Sequence, residues 1–191
     1  MLVIDIDGVV ANSEPVLVAA LEKYTGEKFK PPTPRTYDFR DGFSNLDLKD
    51  CLDVIDNTLI QEVNNIEIYY PKETYLALAL VQKYFGRVCF LTARHKNVED
   101  STHAWLKKHF GSLNYELNHV QYNSADKKDW LLKSSPNIIV EDRLKTVNIL
   151  SDIGIATYLI EQEWNINRET HKDVYRVTTL LDAVDNILTW V

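Results

Sequence analysis

From Pro71 onward, apolar runs of strand length alternate with segments of helical apolar spacing, and this alternation most constrains the fold. The predicted strands cover residues 87–91, 119–122, 137–140, 155–160 and 174–177. The predicted helices cover residues 72–85, 98–110, 129–134, 144–152 and 180–190. Because strands that alternate with helices pair in parallel, we expect an α/β fold, a parallel sheet with helices on both faces.

Two acids directly follow the first predicted strand. The apolar run over residues 1–4 ends at Asp5, and Asp7 and Gly8 come next. Open α/β sheets bind ligands at the carboxyl ends of their strands, which is where these acids stand. Two neighbouring carboxylates repel each other unless a cation or an anionic reaction partner organises them. The sequence therefore indicates a reactive or metal-binding site, with a simple acidic turn as the alternative.

A mainly helical segment separates this first strand from the regular alternation. One helix is predicted to begin after Asn12 or Ser13 with Pro15 in its first turn, and to stop at Gly26. The prolines within residues 31–34 force an extended passage. A second amphipathic helix is predicted from apolar residues spaced by three and four, namely Leu48, Leu52, Ile55 and Leu59. We therefore expect an inserted helical unit over residues 12–72, and a core made of residues 1–11 and 73–191.

Polar groups suited to a phosphate and a divalent cation follow two later strands. Thr92, Ala93 and Arg94 come after one strand, and Glu141 and Asp142 come after another. A lysine pair, Lys127 and Lys128, precedes the second of these strands. A first-turn lysine meets the positive end of the helix dipole, so an anion nearby would explain it. The alternatives are an incidental strand-end hydroxyl and a solvated lysine pair.

These residues, in this order, resemble the four motifs of the haloacid dehalogenase (HAD) phosphohydrolase superfamily. The resemblance spans the chain and implies a Rossmann-like HAD core with a small helical cap, inserted after the first strand, that closes over the carboxyl ends of the strands. It implies that Asp5 is the nucleophile, forming an aspartyl-phosphate. It also implies that Asp7 is the general acid and base, which protonates the leaving oxygen and later takes a proton from water.

The same resemblance implies phosphate and metal ligands. Thr92, Ala93 and Lys127 would bind phosphate, with Lys128 as the rival lysine. Asp5, Asp142 and the backbone carbonyl of Asp7 would hold Mg²⁺, which prefers oxygen ligands of this kind.

The resemblance does not settle the roles of two residues, Glu141 and Arg94. Glu141 stands where many relatives have aspartate, and it would support the metal through water or act as a longer ligand. Arg94 would bind phosphate or a group held by the cap, with a salt-bridged surface arginine as the alternative.

A narrower resemblance is to the 5′(3′)-deoxyribonucleotidase-like branch. It is carried by the stretch from Asp5 to Ala11, by residues 36–39 and 161–165, and by residues 175–177. In that branch aromatic rings of the cap stack on the base, which makes Tyr37, Phe39 and Phe43 candidates for substrate binding. For any single ring, packing within the cap is the alternative that we favour.

Composition excludes several classes of protein. A net charge of −7 argues against tight binding to a nucleic-acid backbone, which needs basic surface. Cys51 and Cys89 are too few for a disulfide framework. No apolar run reaches membrane-spanning length, and a strand rather than a signal peptide stands at the N-terminus. We expect a cytoplasmic protein whose partner is a small phosphorylated molecule, neither a membrane nor a nucleic acid, and the oligomeric state is left open.

The sequence thus predicts a Mg²⁺-dependent phosphomonoester hydrolase that acts on nucleoside monophosphates. The enzymatic alternatives are a phosphatase of another small metabolite and a DNA 3′-phosphatase. The alternatives without turnover are a receiver-like phospho-acceptor domain and an inactive ligand-binding relative. In a receiver-like domain the metal-binding acids end the first strand and the phosphorylated residue lies later.

Overall fold

The computed structural model describes residues 1–120, 124–134 and 137–190. Its main feature is a six-stranded sheet in which every neighbouring pair is parallel, in the order β5-β4-β1-β6-β7-β8. The strands are β1 (Leu2–Ile4), β4 (Val88–Thr92), β5 (Tyr115–His119), β6 (Ile138–Glu141), β7 (Ala156–Ile160) and β8 (Val174–Val177). The predicted α/β fold is confirmed.

Alternate side chains of the central strands enter two different hydrophobic clusters. Leu2 and Ile4 belong to the larger cluster, whereas Val3 belongs to the smaller one. The larger cluster includes side chains of α3 (Pro71–Phe85), α4 (Glu99–Phe110) and α7 (Leu180–Leu188), together with Leu17 and Leu59 from the segment that follows β1. The smaller cluster includes side chains of α5 (Ser124–Ser134) and α6 (Leu144–Ser151). Since successive residues of a strand point to opposite faces, helices cover both faces of the sheet.

The segment between the first strand and α3 is helical, as predicted. It contains α1 (Glu14–Thr25) and α2 (Leu48–Gln61), which pack together, and two short 3₁₀ turns, Phe39–Gly42 and Val63–Asn65. Its two ends meet in an antiparallel pair formed by β2 (Ala11–Asn12) and β3 (Glu67–Ile68). The segment therefore leaves and rejoins the core at one place.

Local differences from the predicted elements have physical reasons. The helix α4 begins at Glu99, one residue after its predicted start, because a 3₁₀ turn over Lys96–Val98 comes between β4 and that helix. The strand predicted at residues 119–122 instead runs over Tyr115–His119 in register with β4, and residues 121 and 122 lie outside the described part. The lysine-bearing helix runs over Ser124–Ser134, so residues 124–128, which were expected to open the helix over residues 129–134, are themselves helical.

The start of α1 was predicted correctly, but the capping bond was not. Ser13 is the residue before the helix, yet its side chain makes no capping hydrogen bond. Its hydroxyl instead interacts with the Asp7 carboxylate. None of the helices in the described ranges is both long and apolar enough to cross a membrane.

Candidate active site

The candidate active site lies at the carboxyl end of β1, where the order of the sheet reverses. The strands β4 and β6 flank β1, so the segments that leave these three strands meet at one edge of the sheet. Asp5 follows β1 and is held there because its backbone N–H donates to the carbonyl oxygen of Val140, at 3.0 Å. The site thus stands where open α/β sheets bind ligands.

A buried lysine joins the residues leaving β1 and β6. Lys127, in the first turn of α5, places its Nζ 2.7 Å from Oδ2 of Asp5 and 2.6 Å from Oε2 of Glu141. All three side chains are nearly inaccessible to solvent. Since an unpaired buried ammonium is costly, the two carboxylates account for a lysine at this position. The structure therefore brings Lys127 to the acids; no contact of Lys128 with them is described.

Asp142 completes an acidic cluster with Asp5 and Glu141. One carboxylate oxygen from each of the three residues lies within 4.8 Å of the others. Asp142 is fully buried, and no described residue donates a hydrogen bond to either of its carboxylate oxygens. Buried polar atoms nearly always have a hydrogen-bond partner. These two oxygens therefore need a donor or a cation, which none of the described residues supplies.

Gly8 makes room for this carboxylate. A Cβ at position 8 would lie 2.1 Å from Oδ2 of Asp142, and the backbone of Gly8 has a φ of +80°. Both the close approach and the left-handed conformation favour glycine.

The acidic cluster shifts the pKa of each member. Burial and the neighbouring Glu141 raise the pKa of Asp5 well above its ordinary value, although Lys127 opposes them. Burial, Glu141 and Asp5 likewise raise the pKa of Asp142. Burial also opposes ionisation of Glu141, but the charge and hydrogen bond of Lys127 prevail and lower its pKa. The pKa of Lys127 rises because its two carboxylate partners outweigh its burial.

The cluster fits a divalent cation in charge and in chemistry. Three carboxylates and one lysine carry a net charge of −2 when all are ionised, so one divalent cation would neutralise them. The donors are carboxylate oxygens, which suit Mg²⁺. The unpaired oxygens of Asp142 are the ligand atoms that a metal would engage. The residues present therefore fit the expected ion, with Asp5, Asp142 and Glu141 as the candidate side-chain ligands.

Asp7 lies in the same loop, but its side chain turns to a different partner. Both of its carboxylate oxygens accept hydrogen bonds from Arg94, from Nε and from Nη2, each at 2.8 Å. Burial opposes ionisation, yet the charge and hydrogen bonds of Arg94 lower the pKa of Asp7. Asp7 is not in the acidic cluster, so any metal contact from it would have to come from its backbone carbonyl.

The predicted phosphate-binding residues of β4 stand beside this loop. Thr92 ends β4 and is fully buried, and its hydroxyl accepts a hydrogen bond of 3.2 Å from the backbone N–H of Arg94. Ala93 lines the cavity above the sheet, as do Asp5, Asp7 and Asp142. The residues assigned to the site from the sequence thus lie together at one edge of the sheet.

A cavity of about 640 Å³ separates these residues from the helical segment. Tyr37 and Phe39, the predicted substrate-binding rings, both line it. Both rings already contact other side chains. The guanidinium of Arg143 lies 4.7 Å from the centre of the Tyr37 ring, and Phe39 contacts Phe29 edge to face. The rest of the apolar wall comes from α1, α2 and two loops, through Leu17, Leu52, Ile55, Leu59, Tyr69 and Trp164.

A loop after β7 holds the backbone of the site by hydrogen bonds, a role that was not predicted from the sequence. The Trp164 indole N–H and the Asn165 side-chain amide both donate to the backbone carbonyl of Asp142, at 3.3 Å and 2.8 Å. The Gln162 side-chain amide donates to the carbonyl of Gly8, at 2.7 Å. Trp164 also meets Tyr37 edge to face. The only sequence signal was the cluster of amides and an aromatic residue after a strand.

Comparison with solved structures identifies the fold. CbbY from Rhodobacter sphaeroides in complex with phosphate matches with a TM-score of 0.65 at 10% identity, covering 95% of this chain and 94% of CbbY. A mutant of CbbY in complex with xylulose-(1,5)bisphosphate matches with a TM-score of 0.63 at 9% identity, with the same coverage of 95% and 94%. L-2-haloacid dehalogenase from Xanthobacter autotrophicus matches with a TM-score of 0.58 at 12% identity, covering 100% and 98%.

These similarities show that the chain has the fold of HAD hydrolases over its whole length. No family model matches the sequence. No curated protein sequence matches it either. At identities near 10%, the structural similarity establishes the fold, and activity has to be argued from the site.

Proposed function

We propose that this protein is a Mg²⁺-dependent phosphomonoester hydrolase that works through an aspartyl-phosphate on Asp5. The observation that carries the proposal is the acidic cluster of Asp5, Glu141 and Asp142, closed on one side by Lys127 and open to a cavity at Asp5 and Asp142. The HAD fold supports it, because solved structures of this fold include hydrolases and a phosphate complex.

Each residue of the site has a role in this proposal. Asp5 attacks phosphorus, since its oxygens keep lone pairs beyond those engaged by Lys127 and by the backbone N–H of Ile6. Lys127 holds the Asp5 carboxylate in place and offsets negative charge when a phosphate approaches. Asp7, an ionised carboxylate in its pair with Arg94, takes up a proton, gives it to the leaving oxygen and later takes one from water. Asp5, Asp142 and Glu141 would hold Mg²⁺, which supplies positive charge against the phosphoryl oxygens.

We also propose that residues 12–72 act as a cap over residues 1–11 and 73–191. The pairing of β2 with β3 brings the two ends of the segment together, as expected of a unit inserted at one point. A small cluster of its own, formed by Leu21, Phe43, Leu46 and Cys51, gives the segment internal packing. Such a cap would exclude water and polymers from a compact substrate.

For the substrate we propose a nucleoside monophosphate, as in the 5′(3′)-deoxyribonucleotidase-like branch. The cavity walls offer apolar and aromatic surface to a base and sugar. Among the described lining residues, the arginines are Arg35 and Arg94, and both are already engaged. Arg94 pairs with Asp7, and Arg35 pairs with Glu14 and with Glu163. A second phosphate would therefore find no free arginine, and this favours a monophosphate over a bisphosphate sugar.

A phosphate ester of another small metabolite is the second candidate. CbbY, which has the same fold, was crystallised with xylulose-(1,5)bisphosphate. Asp53 and Asp56 of α2 line the cavity here, and their charges would repel a second phosphate group. This second candidate is thus favoured only for sugars with a single phosphate.

The test is phosphate release from three groups of substrates: nucleoside monophosphates, sugar monophosphates and sugar bisphosphates, each with Mg²⁺ and with chelator. We expect the highest kcat/KM among the nucleotides, and no turnover in chelator. A preference for sugar monophosphates would reject the nucleotidase proposal alone. Stable phosphorylation of Asp5 without turnover would instead support a phospho-acceptor domain.

A further inference from the structure

The ion pair between Arg94 and Asp7 differs from an ordinary surface ion pair in its burial and its geometry. Its side chain is only 2% exposed, and its Nε and Nη2 meet the two oxygens of Asp7 side by side. A paired contact of this kind fixes the plane of the carboxylate as well as its distance, which a lysine cannot do. Arg94 therefore determines the orientation of the Asp7 side chain.

A second anchor holds the guanidinium from the other side. Nη1 of Arg94 donates to the hydroxyl of Thr102 at 3.2 Å, and that hydroxyl donates to the carbonyl of Val98 at 2.8 Å. Thr102 lies in α4 and is fully buried. Because this anchor belongs to a helix of the core, the position of the guanidinium does not depend on Asp7 alone.

Asp7 differs from its partner in its access to the cavity. Both residues line the cavity, but the side chain of Asp7 is 28% exposed, whereas that of Arg94 is 2% exposed. An ionised carboxylate has four lone pairs, so two contacts with Arg94 and one with the Ser13 hydroxyl leave one lone pair free. Asp7 is thus fixed in orientation and still able to meet a group in the cavity.

Direct binding of phosphate explains the position of Arg94 less well. Nε, Nη1 and Nη2 each donate to a partner within the chain. To grip a phosphate with its planar edge, the guanidinium would have to release Asp7 and leave a carboxylate without its partner. The existing contacts instead satisfy the arginine where it stands.

We propose that Arg94, anchored by Thr102, is a positioning residue: it orients the Asp7 carboxyl group, which takes up a proton before the reaction, for transfer of that proton to the leaving oxygen. The inference rests on the role given to Asp7 in the proposed function. Misplacing a reacting group by about 1 Å can reduce a rate about 100-fold, so an arginine that fixes one carboxylate matters to the rate.

The test compares two substrates whose leaving groups need different amounts of protonation. Para-nitrophenyl phosphate releases a stable anion and needs little help from an acid, whereas an alkyl phosphomonoester needs a proton. Single-turnover measurements with excess enzyme and Mg²⁺ give the rate at saturation and the half-saturating concentration separately. The variants are Arg94→Lys, which keeps the charge but loses the paired contact, and Thr102→Val, which removes only the anchor. Arg87→Lys is the control, because Arg87 forms an exposed ion pair with Glu116.

We expect Arg94→Lys to lower the saturating rate for the alkyl ester about 100-fold, and the rate for para-nitrophenyl phosphate by less than about threefold. The half-saturating concentrations should stay unchanged for both substrates. Thr102→Val should show the same selectivity with a smaller loss, and it serves as the test if Arg94→Lys fails to fold. The control should behave as wild type.

Three results would overturn the inference. Equal losses on both substrates would mean that Arg94 only maintains the structure. A raised half-saturating concentration with an unchanged rate would make Arg94 a phosphate ligand. A wild-type ratio of the two rates in Arg94→Lys, when Asp7→Asn slows the alkyl ester selectively, would reject the role of Arg94 and leave the proposed function intact. Failure of the proposed function is recognised separately, because wild-type protein would then hydrolyse neither ester.

Discussion

Asp142→Asn should stabilise the metal-free protein while abolishing its response to Mg²⁺. The Asp142 carboxylate is fully buried, lies beside Asp5 and Glu141, and accepts no hydrogen bond from a described residue. An unsatisfied buried polar group costs about 1–3 kcal/mol; the amide has almost the same volume, removes the negative charge and offers N–H donors to the neighbouring carboxylates of Asp5 and Glu141. For a chain of this size, the gain corresponds to a rise in Tm of about 2–12 °C.

The sign of the pH dependence follows from the raised pKa of Asp142, whose ordinary value is 3.8. A carboxyl group with a raised pKa in the folded state contributes stability below the ordinary pKa and loses it as pH rises through the folded pKa. Wild-type protein in chelator should therefore lose stability relative to Asp142→Asn as pH rises above 4. Mg²⁺ should restore stability to the wild type only, by an amount that grows with pH.

The assay is thermal unfolding of both proteins between pH 4 and 8, in chelator and in Mg²⁺. Glu141→Gln is the matched control, since it removes one negative charge from the neighbouring residue. Glu141 accepts hydrogen bonds from Lys127 at 2.6 Å and from the backbone N–H of Arg143 at 3.1 Å, so its loss should destabilise the protein by about 1–3 kcal/mol. A lower Tm for Asp142→Asn than for wild type in chelator would refute the reasoning.

Three further predictions test other parts of the site. Gly8→Ala should abolish activity and lower the free energy of unfolding more than the control Gly154→Ala. The two glycines have nearly the same φ, +80° and +81°, but only a Cβ at position 8 would collide with Asp142. Equal unfolding free energies of the two variants would contradict this. Asp5→Asn should reduce turnover by several orders of magnitude, and substantial residual phosphate release from this variant would reject Asp5 as nucleophile. Replacing Tyr37 or Phe39 by alanine should lower kcat/KM for a nucleotide, since a stacked base contributes roughly 1–3 kcal/mol, but spare para-nitrophenyl phosphate; equal losses would assign these rings to packing.

The fold was predictable because its signals are local. Short apolar runs, glycines after helices and helical spacing gave the order of strands and helices, and the parallel sheet follows from that order. Element ends were predicted less well. The 3₁₀ turn before α4 was not predicted, and within it the side-chain amide of Asn97 donates to Asp56 of α2 at 3.2 Å. A contact between residues 41 positions apart leaves no trace in the local sequence.

The acidic cluster was predictable in part, for the same reason. Asp5 and Asp142 could be found because each stands directly after a strand, and strand ends of a parallel sheet meet at one edge. The partner of Asp7 could not, since Arg94 lies 87 positions away and only the folded loop after β4 brings it to the carboxylate. Trp164 and Asn165 were missed because they act on the backbone carbonyl of Asp142, a group that every residue has.

The two acids that follow β1 have different cationic partners, and this difference matches the different roles proposed for them. They stand two residues apart, yet Asp5 is paired with a lysine within an acidic cluster, and Asp7 is paired with an arginine outside it. A lysine offers a single ammonium that two carboxylates can share, and this leaves the cluster a net charge of −2 for a cation. An arginine instead holds one carboxylate by both oxygens and neutralises it. In the proposed function, the pairing with a lysine therefore suits Asp5 to attack beside a metal. The pairing with an arginine fixes the orientation from which Asp7 transfers a proton.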